Sequence, residues 1–245
     1  MTRHPLAGRR SFMPIAALSL VAALAGAPLP PVQADDPAPN GVRTLYLIRH
    51  GAYDEDDPRD PEVGRALTAE GREQARLAGV RLAALGTRFD ALHASTMTRA
   101  RQSAEIIGAA LGGMTPQLSR DLCECTPPTN RADVMARQSA GGPDSCRQTL
   151  ERVWARYFRP SPARDSTELI VCHGNVTRYL VARALGLDPT LWLNMTIANC
   201  SISVIQVRAD GRVRLVSFDD VGHLPPTMQI YPPWRTDPGP KPKAK

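Results

Sequence analysis

Residues 42–51 read VRTLYLIRHG. The seven residues from Val42 to Ile48 are mostly apolar or β-branched, a pattern typical of a buried strand. The polar pair Arg49 and His50, followed by Gly51, predicts a loop at the point where this strand ends. Because ligands of open α/β sheets bind beyond the carboxyl ends of the strands, the loop is a candidate site.

The same arrangement occurs twice more along the chain. A strand is predicted at 89–93 and is followed by STMTR at residues 95–99. Another strand is predicted at 169–172 and is followed by HGN at residues 173–175. Helices are predicted after both segments, and a helix N-terminus offers free N–H groups and the positive end of a dipole. Two histidines and two arginines at such a place indicate a site for a dianion.

Helices alternate with these strands. The first is predicted to start with Thr68 as N-cap and to end at Gly86, because apolar residues between them recur at helical spacing. The other predicted elements are a helix ending near Leu111-Gly112, a helix at 176–185 closed by Gly186, a short helix opening at Asp188-Pro189, and strands at 201–207 and 213–218 joined by a hairpin turn at 209–211. The alternation predicts a three-layer α/β/α sandwich with a mostly parallel sheet.

Three motifs carry a resemblance to a known family. They are LIRHG at residues 47–51, S-x-M-x-R-A at residues 95–100 and CHGN at residues 172–175. In this order they resemble the signatures of the histidine phosphatase superfamily, which has the phosphoglycerate-mutase-like fold. Three further segments resemble the subgroup of mitochondrial phosphoglycerate-mutase-like serine/threonine protein phosphatases: LCECTPP at 122–128, HGNVTRY at 173–179 and GHLPP at 222–226. The resemblance spans roughly residues 42–222.

The resemblance implies three catalytic residues. His50 is the nucleophile that forms a phosphohistidine, and His173, when protonated, adds positive charge and a hydrogen bond. Glu124 is the general acid and then the base that activates water, so we expect a desolvated site to raise its pKa. The other acids that could take this role are Asp121, Glu105 and Asp54.

The resemblance also implies a set of phosphate ligands. Arg49 and Arg99 supply planar donor forks for the phosphoryl oxygens, and His173 joins them. Asn175 either binds the phosphate or caps the helix that follows it. No metal site and no cofactor are implied. Two further histidines stand apart from the motifs: His93 is expected in the core or the site wall, and His223 at the mouth of the site.

Departures from the family pattern favour a hydrolytic phosphatase over a mutase. Ala52-Tyr53 stands where mutases often carry an acidic residue followed by Thr or Ser, and Asp56 stands where they usually carry Asn. We therefore predict a metal-independent phosphatase that hydrolyses phosphomonoesters, with a phosphorylated small molecule or a phosphoprotein as substrate. The alternatives are a phosphosugar phosphatase or mutase of the same fold, and a phosphate-binding module without turnover.

The first 34 residues have the layout of an export signal. A twin-arginine pattern, RRSFM at residues 9–13, precedes an apolar stretch to Ala27 and a cleavage-like end, VQA at residues 32–34. The apolar stretch is short for a membrane span, which needs about 20 residues. We expect a signal peptide at 1–34 that directs the protein by the Tat or the Sec route to the periplasm or the exterior, with no stable membrane anchor after cleavage.

The rest of the chain divides into a body and an end. A linker is predicted at 35–41, a histidine phosphatase domain at 42–224 and a Pro/Lys-rich tail at 225–245. Residues 113–167 show no readable pattern and are predicted to be a specificity or cap insertion in that domain. In an oxidising compartment either Cys123 or Cys125 is expected to pair with Cys146, the alternative being five free thiols.

The charge of the chain argues against nucleic acid as a partner. The formal net charge is +6. Six of the 30 Lys and Arg residues lie before residue 11 or after residue 240, so the remaining basic residues equal the 24 acidic ones in number. The body is therefore balanced and lacks a bulk basic field. The sequence leaves the oligomeric state open.

Overall fold

The computed structural model describes residues 41–231. The predicted signal peptide at 1–34, the linker up to residue 40 and the tail beyond residue 231 lie outside the described residues. Within residues 41–231, no helix is long and apolar enough to cross a membrane.

Six strands form one sheet with the order β3-β2-β4-β1-β5-β6. The strands are β1 (Arg43–Arg49), β2 (Ala91–Ser95), β3 (Gln117–Ser119), β4 (Ser166–Cys172), β5 (Ile202–Val207) and β6 (Val213–Asp220). Neighbours from β3 to β1 run parallel, whereas β5 runs antiparallel to both β1 and β6. The predicted hairpin of the last two strands is present, and its turn contains Gly211 with φ +80°.

The helices are α1 (Ala69–Ala84), α2 (Thr98–Ala110), α3 (Ala132–Met135), α4 (Gly142–Tyr157) and α5 (Gly174–Ala184). Thr68 is the N-cap of α1 as predicted, and its side chain accepts the N–H of Gly71. The second strand starts two residues later than predicted. Phe89 lies before it and packs edge-on against Tyr46 with ring centroids 5.3 Å apart.

Two hydrophobic cores lie on opposite faces of the sheet, and strand β4 serves both. Its Leu169 and Val171 join a core with α1 and α2, while Ile170 and Cys172 join a core with α4 and α5. All four residues are fully buried, and burying each aliphatic side chain contributes about 1.5–3 kcal/mol. A strand apolar on both faces therefore requires helices on both faces, and the predicted three-layer sandwich is confirmed.

Residues 113–167 differ from the prediction. They supply the edge strand β3 and the helix α4, which buries Leu150, Val153 and Tyr157 in the core. The prediction of a cap insertion is therefore wrong for these two elements, which belong to the sandwich. Cys146, Leu150, Val153 and Tyr157 recur every three or four residues, and this spacing is the signal that would have revealed the helix.

Candidate active site

The register of the sheet brings the two site histidines together. Strands β1 and β4 are parallel neighbours in which Arg49 lies opposite Cys172, so His50 and His173 follow side by side. The N–H of His50 donates to the carbonyl of Cys172 at 3.0 Å, and the two imidazole centroids are 5.0 Å apart. Arg99 lies in the first turn of α2, which follows β2 on the other side of β4. The three predicted strand ends therefore form one site.

The contacts of His50 determine which of its ring nitrogens is free to react. Nδ1 lies 2.8 Å from the carbonyl oxygen of Gly51, which can only accept, so Nδ1 carries the proton. Nε2 therefore keeps its lone pair, and it accepts the Nε–H of Arg99 at 3.1 Å. Burial is the main cause that lowers the pKa of His50 well below 6.5, and nearby positive groups add to it. The imidazole is thus neutral and presents Nε2 as a nucleophile.

His173 is fully buried and is held by Ser95, a residue whose role the sequence did not reveal. Its Nε2 lies 2.8 Å from the hydroxyl of Ser95, whose oxygen also accepts the N–H of Met97 at 3.2 Å. The Ser95 hydroxyl also lies 3.4 Å from Cys123 Sγ, and the tautomer of His173 depends on which of these two groups receives the Ser95 proton. Burial, and then two arginines, lower the pKa of His173 well below 6.5. The lowered pKa favours the neutral imidazole, and the charged form of His173 stays a prediction.

Three buried nitrogens of the site find no hydrogen-bond partner among the described residues. They are Nε of Arg49, Nη1 of Arg99 and Nδ1 of His173. Each arginine is also held by another contact: Arg49 Nη1 donates to the carbonyl of Ile197 at 2.7 Å, and the Arg99 guanidinium lies over the Tyr53 ring at 4.6 Å. Because buried polar groups are nearly always hydrogen-bonded, three such nitrogens around one histidine pair, two of them guanidinium donors, indicate a place for a ligand rich in acceptors.

The loop after β1 lies unusually close to the start of α1. A Cβ atom at Gly51 would overlap the carbonyl oxygen of Gly71, and a Cβ at Gly71 would overlap that of Ala52. Both positions therefore require glycine. The N–H of Gly51 donates to Ser103 Oγ at 3.0 Å, and that of Ala52 to Gln74 Oε1 at 2.8 Å. These contacts fix the backbone that carries the nucleophile.

Glu124 lies on the loop that follows the 3-10 turn Arg120–Leu122. Its Oε1 accepts the backbone N–H of Asn175 at 3.2 Å, so the carboxyl group lies at the N-terminus of α5, just after His173. Burial raises the pKa of Glu124, as expected, and three positive side chains oppose this effect: Arg49, Arg99 and Arg178. The raised pKa favours the protonated form that a general acid needs.

Of the four candidate acids, Glu124 is the one whose neighbouring charged groups are the arginines of the site. Asp121 forms an ion pair with Arg152 at 3.1 Å, and Glu105 lies 3.9 Å from Arg101. Both of these pairs have largely exposed side chains. Asp54 is exposed as well. The structure therefore favours Glu124 among the acids that the sequence left open.

Asn175 does not have one of its two predicted roles, and its role as a phosphate ligand stays a prediction. The N-cap residue of α5 is His173, so Asn175 does not cap this helix. Its side-chain amide donates to the carbonyl of Cys125 at 3.0 Å and accepts from Arg178 at 2.6 Å. The side chain of Asn175 therefore holds the loop next to Glu124.

A disulfide fixes the same loop. Cys125 pairs with Cys146 of α4, 21 residues away, which decides between the two cysteines that the sequence offered. Cys123 is a half-buried free thiol, and its Sγ lies 3.1 Å from the hydroxyl of Thr96. The residues on either side of Glu124 are therefore tied to different elements.

The two remaining described histidines lie outside the site. His93 is buried in the interior, where its Nε2 lies 3.3 Å from Glu168. Arg43 is also 3.3 Å from this carboxylate. His223 contacts the carbonyl of Cys200 at 3.1 Å, behind the loop that follows β1.

A segment that the sequence did not indicate supports the site from behind. Asn199 Nδ2 donates to the carbonyl of His50 at 2.9 Å, and the N–H of Cys200 donates to the carbonyl of Arg49 at 3.0 Å. Cys200 has φ +53°, a left-handed conformation that costs a non-glycine residue about 1–3 kcal/mol. No local pattern marks this turn, because its role depends on the pairing of β5 with β1.

An acidic rim borders the site. A cavity of about 630 Å³ opens beside Tyr53, whose ring also contacts the His50 ring with centroids 5.1 Å apart. The rest of its lining contains four carboxylates, those of Asp54, Glu55, Asp56 and Asp57. The remaining lining residues are Arg59, Ala66, Leu67 and Thr68. The border of the site next to Tyr53 is thus rich in carboxylates, one of which, Asp57, pairs with Arg59 at 2.6 Å.

The fold and the paired histidines with their arginines define a phosphoryl-transfer site of the phosphoglycerate-mutase-like class. A model of the histidine phosphatase superfamily (branch 1) matches residues 45–220, and the chain belongs to this superfamily. The predicted family is therefore confirmed.

The chain is similar to several known proteins. It is 39% identical over 189 residues to the mitochondrial serine/threonine-protein phosphatase Pgam5 of Caenorhabditis briggsae, and 38% identical over 194 residues to PGAM5 of Homo sapiens. The alignments cover 75% and 76% of this chain but only 65% of each relative. Among solved structures, the phosphoglycerate mutase of Plasmodium falciparum has a TM-score of 0.53 at 26% identity, with 76% of this chain and 96% of that one covered.

Proposed function

We propose that the protein hydrolyses phosphomonoesters through a phosphohistidine on Nε2 of His50. The observation that carries the proposal is the neutral imidazole of His50, whose Nε2 lies among three buried nitrogens without protein partners: Arg49 Nε, Arg99 Nη1 and, with its proton placed on Nδ1, His173. A phosphoryl group offers three equatorial oxygens, which match these donors in number. Donors held in place before the reaction stabilise the charge of a transferring phosphoryl group without reorganisation.

The residues support a two-step reaction. In the first step Nε2 of His50 attacks phosphorus, the bond from phosphorus to the ester oxygen breaks, and that oxygen takes the proton of Glu124. In the second step the Glu124 carboxylate accepts a proton from water, the resulting hydroxide attacks phosphorus, and the bond to Nε2 breaks. Phosphate leaves, and both residues return to their starting states. The Nδ1–H bond to Gly51 keeps the ring oriented through both steps.

The substrate class is also a proposal. The relatives from Caenorhabditis briggsae and Homo sapiens are named serine/threonine-protein phosphatases, which supports a phosphoprotein. The carboxylates beside Tyr53 support the same choice over a mutase substrate, because they repel a substrate that carries a second anionic group, as phosphoglycerate does. A phosphosugar phosphatase or mutase remains the second candidate, supported by the similarity to the mutase of Plasmodium falciparum.

Metal independence is part of the proposal. Among residues 41–231, no group of three or more His, Cys, Asp or Glu side chains is placed to hold a metal ion. The two site arginines supply positive charge at the position where a metal would otherwise be needed.

The decisive experiment is to trap the intermediate. Residues 35–245 are incubated with excess EDTA and a ³²P-labelled phosphopeptide or aryl phosphate, and the reaction is quenched in alkali, which preserves phosphohistidine. We expect a stoichiometric, acid-labile label that peptide mapping assigns to His50, together with release of phosphate. Binding without label or release would identify a phosphate-binding module, and label only on other residues would contradict the mechanism. Release of phosphate from phosphopeptides in preference to sugar phosphates would decide the substrate class.

We also propose that the protein is exported, on the support of the twin-arginine pattern and of the cleavage-like end at Ala34. Mass spectrometry of the periplasmic or secreted fraction should find a form that begins near Asp35. Replacement of Arg9 and Arg10 by lysine should block export if the Tat route is used, and leave it intact if the Sec route is used. A cytosolic form that retains Met1 would contradict export.

A further inference from the structure

Arg178 is the third arginine that faces Glu124, and its bonding differs from that of the other two. Its Nε donates to the carbonyl of Gly174 at 3.1 Å, its Nη1 to that of Met195 at 3.2 Å, and its Nη2 to Asn175 Oδ1 at 2.6 Å. Each of its nitrogens therefore has a protein acceptor. The two phosphate-binding arginines, by contrast, each leave a buried nitrogen without one. Arg178 therefore hydrogen-bonds to the protein, whereas Arg49 and Arg99 each keep a nitrogen that a ligand could use.

Asn175 connects Arg178 to the loop that carries Glu124. Because its side-chain oxygen accepts from Arg178, its amide nitrogen points the other way, where it donates to the carbonyl of Cys125 at 3.0 Å. Its backbone N–H meets the carboxylate of Glu124 at 3.2 Å. One residue of α5 therefore holds both the acid and the backbone beside it, and Arg178 fixes the orientation of its amide.

Trp192 ties the same arginine to the far end of the loop. The guanidinium of Arg178 lies 4.8 Å from the centre of the Trp192 ring. Nε1 of that ring donates to the carbonyl of Pro128 at 3.1 Å. Residues 123–131 contain no helix or strand, so these contacts replace secondary structure in fixing the course of the loop.

We propose that Arg178 is a positioning residue for the general acid, acting through Asn175 and Trp192 on the loop that carries Glu124. The inference rests on the proposed function, because it assumes that Glu124 donates a proton to the leaving group. A misplacement of about 1 Å of a reacting group can cost about 100-fold in rate. The contacts of Arg178 with Asn175 and Trp192, here called the brace, therefore contribute to steps that need the acid and not to the binding of the phosphoryl group.

The charge of Arg178 gives the brace a second effect. Arg49 of β1, Arg99 of α2 and Arg178 of α5 are the charged groups that lower the pKa of Glu124 against the effect of burial. Burial lowers the pKa of Arg178 itself to about 10, so it stays charged at neutral pH. Removal of this charge raises the pKa of Glu124, which then remains a protonated acid up to a higher pH.

The test compares R178M and R178K with a matched control, R183M. Arg183 lies on the same helix, pairs with Glu151 and stacks on Trp154 at 4.5 Å, and neither of these partners belongs to the loop. In R178M we expect kcat for an alkyl phosphate to fall roughly 10- to 100-fold, and kcat for an aryl phosphate with an acidic phenol to change less than about threefold. Inhibition by inorganic phosphate should stay within about twofold of the wild type in every variant.

The pH profile separates charge from geometry. In R178M the basic limb of the alkyl phosphate profile should move to higher pH. R178K keeps the charge but lacks the planar fork, so the limb should stay in place while the alkyl rate still falls. Equal losses on both esters with weakened phosphate inhibition would instead make Arg178 a phosphate ligand and overturn the proposal. An unchanged ratio of alkyl to aryl rates would overturn it as well.

A measurement without turnover tests the brace independently of the proposed function. Hydrogen exchange of residues 121–131 should become faster in R178M than in the wild type and R183M, while exchange in β1 and β4 stays the same. Slow exchange in all three proteins would contradict the brace even in an active enzyme. Faster exchange in R178M, together with a wild type that releases no phosphate from any ester, would contradict the proposed function and leave the structural brace standing.

Discussion

His50 and His173 lie at the ends of two paired, buried strands, whereas Glu124 lies on a loop without regular structure. The site thus has two halves, a strand-end half with His50 and His173 and a loop half with Glu124. The strand-end half is positioned by the sheet register and by hydrophobic cores on both faces of the sheet, so its geometry follows from the fold itself. The loop half is positioned by separate links, namely a disulfide, the amide of Asn175 and the indole of Trp192. Changes in the first half should therefore affect every substrate, and changes in the second half mainly those that need an acid.

The largest effect is expected from His50→Ala. Loss of the nucleophile should lower kcat/KM by roughly 10⁴-fold or more for alkyl and aryl phosphates alike, with no change in the midpoint of thermal unfolding beyond a few degrees. Steady-state rates on both esters and a thermal melt measure these outcomes.

His93→Ala is the matched control for this variant. His93 is equally buried but faces Glu168, which keeps Arg43 as a partner. Its loss should lower the free energy of unfolding by about 1–3 kcal/mol and leave kcat/KM almost unchanged. The reverse result, an active His50→Ala and an inactive His93→Ala, would contradict the assignment of His50 as the nucleophile.

The strand-end half is also the part that the sequence predicted. An apolar run followed at once by Arg49-His50-Gly51 is a local pattern, and the parallel sheet that it implies carries such ends to a common edge. The fold followed from the same patterns, apart from β3, α3 and α4. β3 and α3 have only three and four residues, too few for a periodic pattern, whereas α4 carries the helical spacing of Cys146, Leu150, Val153 and Tyr157.

The loop half was predicted only through the family resemblance, which singled out Glu124. Its supports join residues that are distant in sequence, such as Arg178 of α5 and Pro128 across Trp192. Each of these residues has an ordinary alternative role as a surface charge or a core aromatic residue. Their function is encoded in tertiary packing, which no local period records.

The next largest effect is expected from Glu124→Gln, and it should depend on the leaving group. An alkyl oxygen must be protonated as it leaves, so its rate should fall roughly 10²–10⁴-fold. An acidic phenol leaves largely unaided, so the first step with an aryl phosphate should be much less affected. Phosphohistidine should then accumulate with the aryl substrate, because its hydrolysis also needs the Glu124 carboxylate.

Rapid-quench measurement of the labelled intermediate checks this outcome, and Asp121→Asn is the control. Asp121 is the nearby acid that pairs with Arg152 on the outside. Equal losses on both esters without accumulation would show that Glu124 is structural. A leaving-group effect in Asp121→Asn would move the assignment to that residue.

Arg99→Lys should produce a loss of a different kind. Lysine keeps the charge but cannot both donate to His50 and offer a second planar nitrogen to the phosphoryl group. We expect roughly a 10²–10³-fold loss of kcat/KM that is the same for alkyl and aryl phosphates, together with weaker inhibition by inorganic phosphate. Arg101→Lys is the control, because Arg101 lies two positions along the same helix and faces Glu105. A loss confined to the alkyl ester would place Arg99 with the acid and not with the phosphoryl group.

The smallest effect on rate is expected from removal of the disulfide. Closing a loop of this size stabilises the folded protein by about 3 kcal/mol, which corresponds to roughly 6–12 °C in the unfolding temperature of a domain of this length. The contacts of Asn175 and Trp192 remain in the Cys125→Ala/Cys146→Ala double variant, so the loop should loosen without leaving the site. We therefore expect a clear fall in the unfolding temperature and only a several-fold loss on the alkyl ester, with a still smaller loss on the aryl ester.

Cys123→Ala, which removes the adjacent free thiol, should change neither the alkyl-to-aryl ratio nor the response to dithiothreitol. Dithiothreitol should reproduce the rate change in the wild type and have no effect on the double variant. If it inactivates the double variant to the same extent, the reductant acts elsewhere, and the cross-link has no part in positioning Glu124.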